Sequence, residues 1–162
     1  MNDRTLRKQL AQLLEGVGAH MPLEEAVADF PDEAINDRAP NCEYSPWQLL
    51  EHIRLTQLDI LDYIRDRDYK GREWPREYWA APDARTTPEG FRATVDALIA
   101  DRGALRDILL DDETDIFAVI PNTPGHTILR EIRIVADHNA YHVGEFAVLR
   151  QVMGTWPMGR ED

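Results

Sequence analysis

Two histidines, His138 and His142, stand four residues apart in the stretch Ala136-Asp137-His138-Asn139-Ala140-Tyr141-His142-Val143-Gly144-Glu145. Apolar residues at helical spacing run through and around it: Ile128, Leu129, Ile132, Val135, Phe146, Leu149 and Val152. On a helix, residues four apart project from one face on successive turns, with Cβ atoms roughly 5–6 Å apart. Two imidazoles at that separation can converge on one cation. Glu131 precedes His138 by seven residues and Glu145 follows it by seven. Two turns take about 7.2 residues, so both carboxylates fall on or near the histidine line. The pair has a second reading, as partly buried histidines hydrogen-bonded to neighbouring helices. A third inward ligand on another helix would separate the two.

The elements that must position these groups are helices. Leu6, Leu10, Leu13, Leu14 and Val17 give residues 3–18 one apolar face, and Gly16 and Gly18 loosen its end. His20 follows as a structural or capping histidine. Pro22 and Pro31 bracket a short helical turn over Leu23–Phe30, and residues 31–44 read as a loop. Ser45-Pro46-Trp47-Gln48 is a helix start, with Ser45 as cap, Pro46 at the first position and Gln48 completing a capping box. That helix runs to about Asp66. It carries His52 on the same side as Leu49, Thr56, Asp59 and Tyr63, bordering the apolar face. Taken alone, His52 reads as a satisfied core histidine.

Residues 67–86 hold Trp74, Pro75, Tyr78, Trp79 and Pro82 among many charges. A connection this long either covers a cleft or is pinned to the bundle by its aromatic rings. Thr87-Pro88-Glu89 opens the next helix, which runs to about residue 110 with Gly103 as a weak point. Asp111–Thr123 reads as an extended connection. Thr123-Pro124 opens the last helix, which Gly154 and Pro157 end. His126 falls in its first turn, off the His138 line, as a surface residue. Gly144 inside this helix suggests close approach of another helix or of a ligand beside His142.

Four amphipathic helices without convincing strand pairs predict an all-α four-helix bundle, one domain over residues 1–162, with long connections that permit a crossover. The net charge of −12 excludes non-specific binding to nucleic acid or to an anionic membrane, because phosphate contacts need Lys and Arg. The single cysteine, Cys42, excludes an intramolecular disulfide and reads as an incidental thiol. No signal peptide and no membrane span are expected, which leaves the cytoplasm as the expected location.

In such a bundle, facing helices bring inward side chains together at one depth. His52 lies about two turns into the second long helix and the 138/142 pair about four turns into the last. Where those levels match, three imidazoles surround one point. Three neutral nitrogens suit zinc first, with nickel, iron or cobalt as alternatives. Three protein ligands also leave coordination open for a water or a substrate atom, whereas a structural zinc is normally closed by four.

Three segments resemble the DinB/YfiT-like superfamily. Ser45-Pro46-Trp47-Gln48-Leu49-Leu50-Glu51-His52-Ile53 is similar to its second-helix motif. Gly125-His126-Thr127-Ile128-Leu129-Arg130-Glu131 is similar to its entry to the last helix, and Asp137 to Glu145, continuing to Leu149-Arg150 and Gly154, resembles its most diagnostic motif. The likeness covers the chain from about residue 40 onward; the first helix fits by pattern alone. The resemblance implies a four-helix bundle with a divalent-metal site at His52, His138 and His142. It departs from the family at Glu145, where Gln is common.

The resemblance further implies an enzyme joining a low-molecular-weight thiol, of the bacillithiol, mycothiol or glutathione type, to an electrophile, and a homodimer. The alternatives are a metal-dependent hydrolase, with Glu145 or Glu131 as general base, and a non-catalytic metal- or small-molecule-binding stress protein. The structural reading of both carboxylates is solvated groups or groups that orient a ligand.

Overall fold

The computed structural model describes residues 3–157; the outer ends of the expected 1–162 domain, residues 1–2 and 158–162, lie outside them. Among the described residues five α-helices follow in order, α1 Asp3–Leu14, α2 Leu23–Val27, α3 Pro46–Arg65, α4 Pro88–Leu110 and α5 Ile128–Met153, with a short 3-10 turn at Asp32–Ala34 between α2 and α3. Among the described residues there is no named strand, only one isolated antiparallel bridge between Val119 and Thr127. No described helix is long and apolar enough to cross a membrane. Four long helices and one short one form an all-α bundle.

Local chemistry sets the helix starts. At α3 the Ser45 side chain accepts from Gln48 N–H at 3.2 Å, while Gln48 Oε1 accepts from Ser45 N–H at 2.9 Å. Both halves of the box are therefore made. Thr87 caps α4 through Gly90 N–H, with Pro88 at the first position. At the last helix the start differs from the expected Thr123-Pro124. Gly125 takes φ 96°, and Ile120 N–H donates to His126 C=O, so the chain stays out of helix until Thr127 caps Arg130 N–H. His126 therefore precedes α5 instead of lying in its first turn. At the other end of the chain, α1 stops at Leu14, short of the expected residue 18, because Gly16 turns left-handed at φ 75° and Val17 N–H returns to Gln12 C=O.

Two apolar clusters fill the bundle. One gathers Leu49, Leu50 and Ile53 of α3 with Phe91 and Leu98 of α4 and Val143, Phe146 and Leu149 of α5. The other joins Ile60 and Leu61, Leu105 and Leu109, and Ile132, Val135 and Ala136 from the same three helices, with Ala11 and Leu14 of α1. Early α3 and early α4 thus share one end with late α5. Helices α3 and α4 run in the same sense and α5 runs against them. Arg7 near the start of α1 donates to the carbonyls of Leu109 in the last turn of α4 and of Asp111 and Thr114 just beyond it, which sets α1 antiparallel to α4. The parallel α3–α4 pair makes the long connection between them a crossover. Between the two clusters lies a polar tie: Asn139 Nδ2 donates to Gln57 Oε1 at 2.8 Å, and Gln57 Nε2 donates to Leu98 C=O at 2.8 Å. The buried Gln57 amide and its half-buried Asn139 partner therefore tie α3, α4 and α5 at one depth.

Candidate metal centre

The antiparallel packing of α3 on α5 places His52 level with His138 and His142. Their ligating atoms all lie within 4.8 Å of one another. His52 Nε2 and His138 Nε2 are 3.3 Å apart, and the ring centroids of His138 and His142 are 4.4 Å apart. Zinc–nitrogen bonds of 2.0–2.1 Å in a tetrahedron put two nitrogens about 3.3–3.4 Å apart. The donor set and that spacing fit a divalent ion.

Hydrogen bonds on the far side of two rings settle which nitrogen faces inward. His52 Nδ1 lies 2.8 Å from Tyr78 C=O, an acceptor only, so Nδ1 carries the proton and Nε2 keeps its lone pair. His142 Nδ1 lies 2.6 Å from Glu145 Oε2, which leaves its Nε2 for the cluster. These are the carboxylate–histidine and carbonyl–histidine pairings that orient ligands in metal sites. His138 Nδ1 is buried and has no hydrogen-bond partner among the described residues. Its ring is held by packing against the other two.

Burial of the cluster favours neutral imidazoles. Burial, with the nearby His142 and His52 adding to it, pushes the His138 pKa down to about 4. Burial also lowers that of His52, against the opposing pull of its bond to the Tyr78 carbonyl. Neutral rings are the form that binds a metal.

Glu145 and Glu131 have different fates. Glu145 holds His142 and in turn accepts from the Tyr44 hydroxyl. Burial, then the bond to Glu145, raises the Tyr44 pKa, so the phenol remains a donor. Glu131 is buried near the start of α5, where it pairs with Arg130 and lies 3.7 Å from His126 Nδ1. Seven residues correspond to about 10 Å along the axis, so Glu131 is remote from His138. His126 Nδ1 also lies 2.9 Å from the Tyr63 hydroxyl. His20 is exposed and bonds Met21 C=O. Cys42 is half-buried against the first apolar cluster.

The crossover between α3 and α4 both pins itself to the bundle and lines a cleft. Trp79 stacks flat on His52, with centroids 4.0 Å apart and planes 4° apart. Tyr44 also packs against Trp79, with centroids 5.3 Å apart and planes tilted by 35°. An open cleft of about 670 Å³ begins there, lined by Tyr44, Gln48, Pro75, Trp79, Ala81 and Pro82 among others. Gln48 Nε2 donates to the Ala81 carbonyl at 2.8 Å, which ties this wall to α3. Tyr44 and the Tyr78 carbonyl escape a reading of the sequence, because their partners lie 101 and 26 residues away. One signal was available for Tyr44: it immediately precedes the α3 cap, and in an antiparallel pair the start of α3 meets late α5.

Gly144 does not serve close approach. A Cβ there would meet nothing within 4 Å. The position is exposed, so neither a neighbouring helix nor a wall of the site explains it.

A family model described as the DinB superfamily matches residues 7–146. The match takes in α1 from Arg7 onward, so the likeness extends well before residue 40. Comparisons with curated proteins and with solved structures give no match.

Proposed function

Because the chain belongs to the DinB superfamily, we propose that it is a divalent-metal-dependent transferase that couples a low-molecular-weight thiol to an electrophile. His52, His138 and His142 are the proposed ligands, with zinc the first candidate for an all-nitrogen set. The observation that carries this reading is the orientation of two rings by partners behind them, Tyr78 C=O and Glu145, which turns lone pairs toward a common point. A bound divalent ion would supply Lewis acidity that keeps a thiol as its thiolate at neutral pH.

The chain's own residues do the rest. Glu145 and Tyr44 fix the His142 ring. Trp79 covers one face of His52 and keeps bulk water from it. The cleft walled by Trp79, which stacks on His52, and Tyr44, which bonds Glu145, is the proposed place for the electrophile. A cytoplasmic setting, where small thiols stay reduced, and the homodimer that the resemblance implies belong to the same proposal. Light scattering tests the dimer.

Hydrolysis would need a carboxylate free to accept a proton from water. Glu145 is already engaged by His142 and Tyr44, and Glu131 by Arg130, which supports Glu145 as a positioning group and disfavours both as general bases. The deciding experiment is a thiol-by-electrophile screen on metal-replete protein read by mass spectrometry, with His142→Ala alongside. Thiol conjugates from the wild type alone are the expected result. Ester or amide hydrolysis without any thiol would move the reading to a hydrolase, and metal binding with neither activity would move it to a binding protein.

A further inference from the structure

Asp59 lies seven residues after His52 on α3, so the two side chains share a face about two turns apart. Its carboxylate gathers three points of the crossover. Oδ1 accepts from the Tyr69 hydroxyl, Oδ2 accepts from the Tyr78 hydroxyl at 2.8 Å, and Arg72 Nε stands 3.9 Å away. Burial, then the bond to Asp59, raises the pKa of both phenols, so both remain donors. Tyr78 is consequently held at two places on one helix: its hydroxyl by Asp59 and its carbonyl by His52 Nδ1. The next residue is Trp79, stacked on the His52 ring.

We propose that Asp59 is a positioning residue for the metal site, acting through Tyr78 to set the tautomer and ring plane of His52. The inference rests on the metal reading for its purpose, but its structural content stands without an ion. Tyr78 C=O is the acceptor that keeps the proton on His52 Nδ1, and that carbonyl belongs to a loop with no regular secondary structure of its own. A loop carbonyl orients a ligand only as well as the loop is anchored. Asp59 sits on a rigid helix and supplies that anchor in the same register as the ring it serves. The exposed connection is thereby given the positional precision of α3.

The test uses the full chain as wild type, Asp59→Asn, Tyr78→Phe and the double variant. In metal-free protein, long-range ¹⁵N spectra of the His52 ring report its tautomer. Cobalt(II) titration with a competing chelator reports affinity. We expect wild-type His52 to be protonated at Nδ1. Each single variant should populate the Nε2-protonated form and weaken cobalt binding roughly tenfold or more. The double variant should be no weaker than the worse single, as groups in one chain of contacts behave. Tyr78→Phe removes one hydroxyl and keeps the carbonyl, so it decides the question even where Asp59→Asn fails to fold. Folded variants with the wild-type tautomer and wild-type affinity would overturn the inference. Wild-type protein that binds no cobalt would sink the proposed function instead, while a tautomer shift in the metal-free variants would still uphold the role of Asp59.

Discussion

At the level of single side chains, the three histidines are unequal, and the differences are measurable. His142 leans on Glu145, which leans on Tyr44. Glu145→Gln keeps the shape but loses the charge that favours the Nδ1–H tautomer. Metal affinity, read by chelator competition, should fall about 10- to 100-fold. Tyr44→Phe should follow in the same direction with a smaller loss. His138 contributes to the acid response. Its folded pKa of about 4 lies below the unfolded value near 6.5, so the unfolded chain takes up the proton first as pH falls. Stability of the metal-free protein should therefore drop between pH 6.5 and 4, by at most about 1.4 kcal/mol per pH unit from this group. Denaturation midpoints measured in a chelator give that slope, and His138→Gln should flatten it.

At the level of helices and their connections, what the sequence disclosed follows the range of the interaction. The Ser45–Gln48 box and the Thr87 cap are local and were readable as they stand. The start of α5 was misplaced by four residues, because Thr123-Pro124 resembles a helix opening while Gly125 and the Val119–Thr127 bridge overrule it. Two of the three histidines came from spacing on one helix. His52 needed the antiparallel meeting of α3 with α5, which the family resemblance supplied and composition could not. Tyr44 offers only its place before the α3 cap as a signal, because it meets Glu145 only after the bundle closes. Gly144 teaches the reverse lesson. The open space around it predicts that Gly144→Ala stabilises α5 by about 0.5–1 kcal/mol without touching the imidazoles, as measured by thermal melting with metal affinity unchanged. Gly103, equally open within α4, should respond alike.

For the molecule as a whole, an ion held by His52 of α3 and His138 and His142 of α5 would couple binding to folding. At a free zinc concentration 100 times the wild-type dissociation constant, the wild type should gain about 2.7 kcal/mol against unfolding, and His52→Ala at the same concentration should gain much less. A melting series with zinc and with chelator checks both. The chain path adds a constraint of another kind. Since α3 and α4 point the same way, the polypeptide must walk back along some 30 Å of α3 before it can start again, a trip needing roughly nine extended residues. The 22 residues from Asp66 to Thr87 more than double that distance. The surplus is the material that carries Trp79 onto the His52 ring. Chain reversal alone would leave much of that length without a task; Asp59 and His52 on α3 give it one, by holding Tyr78 and Trp79 at the edge of the cleft.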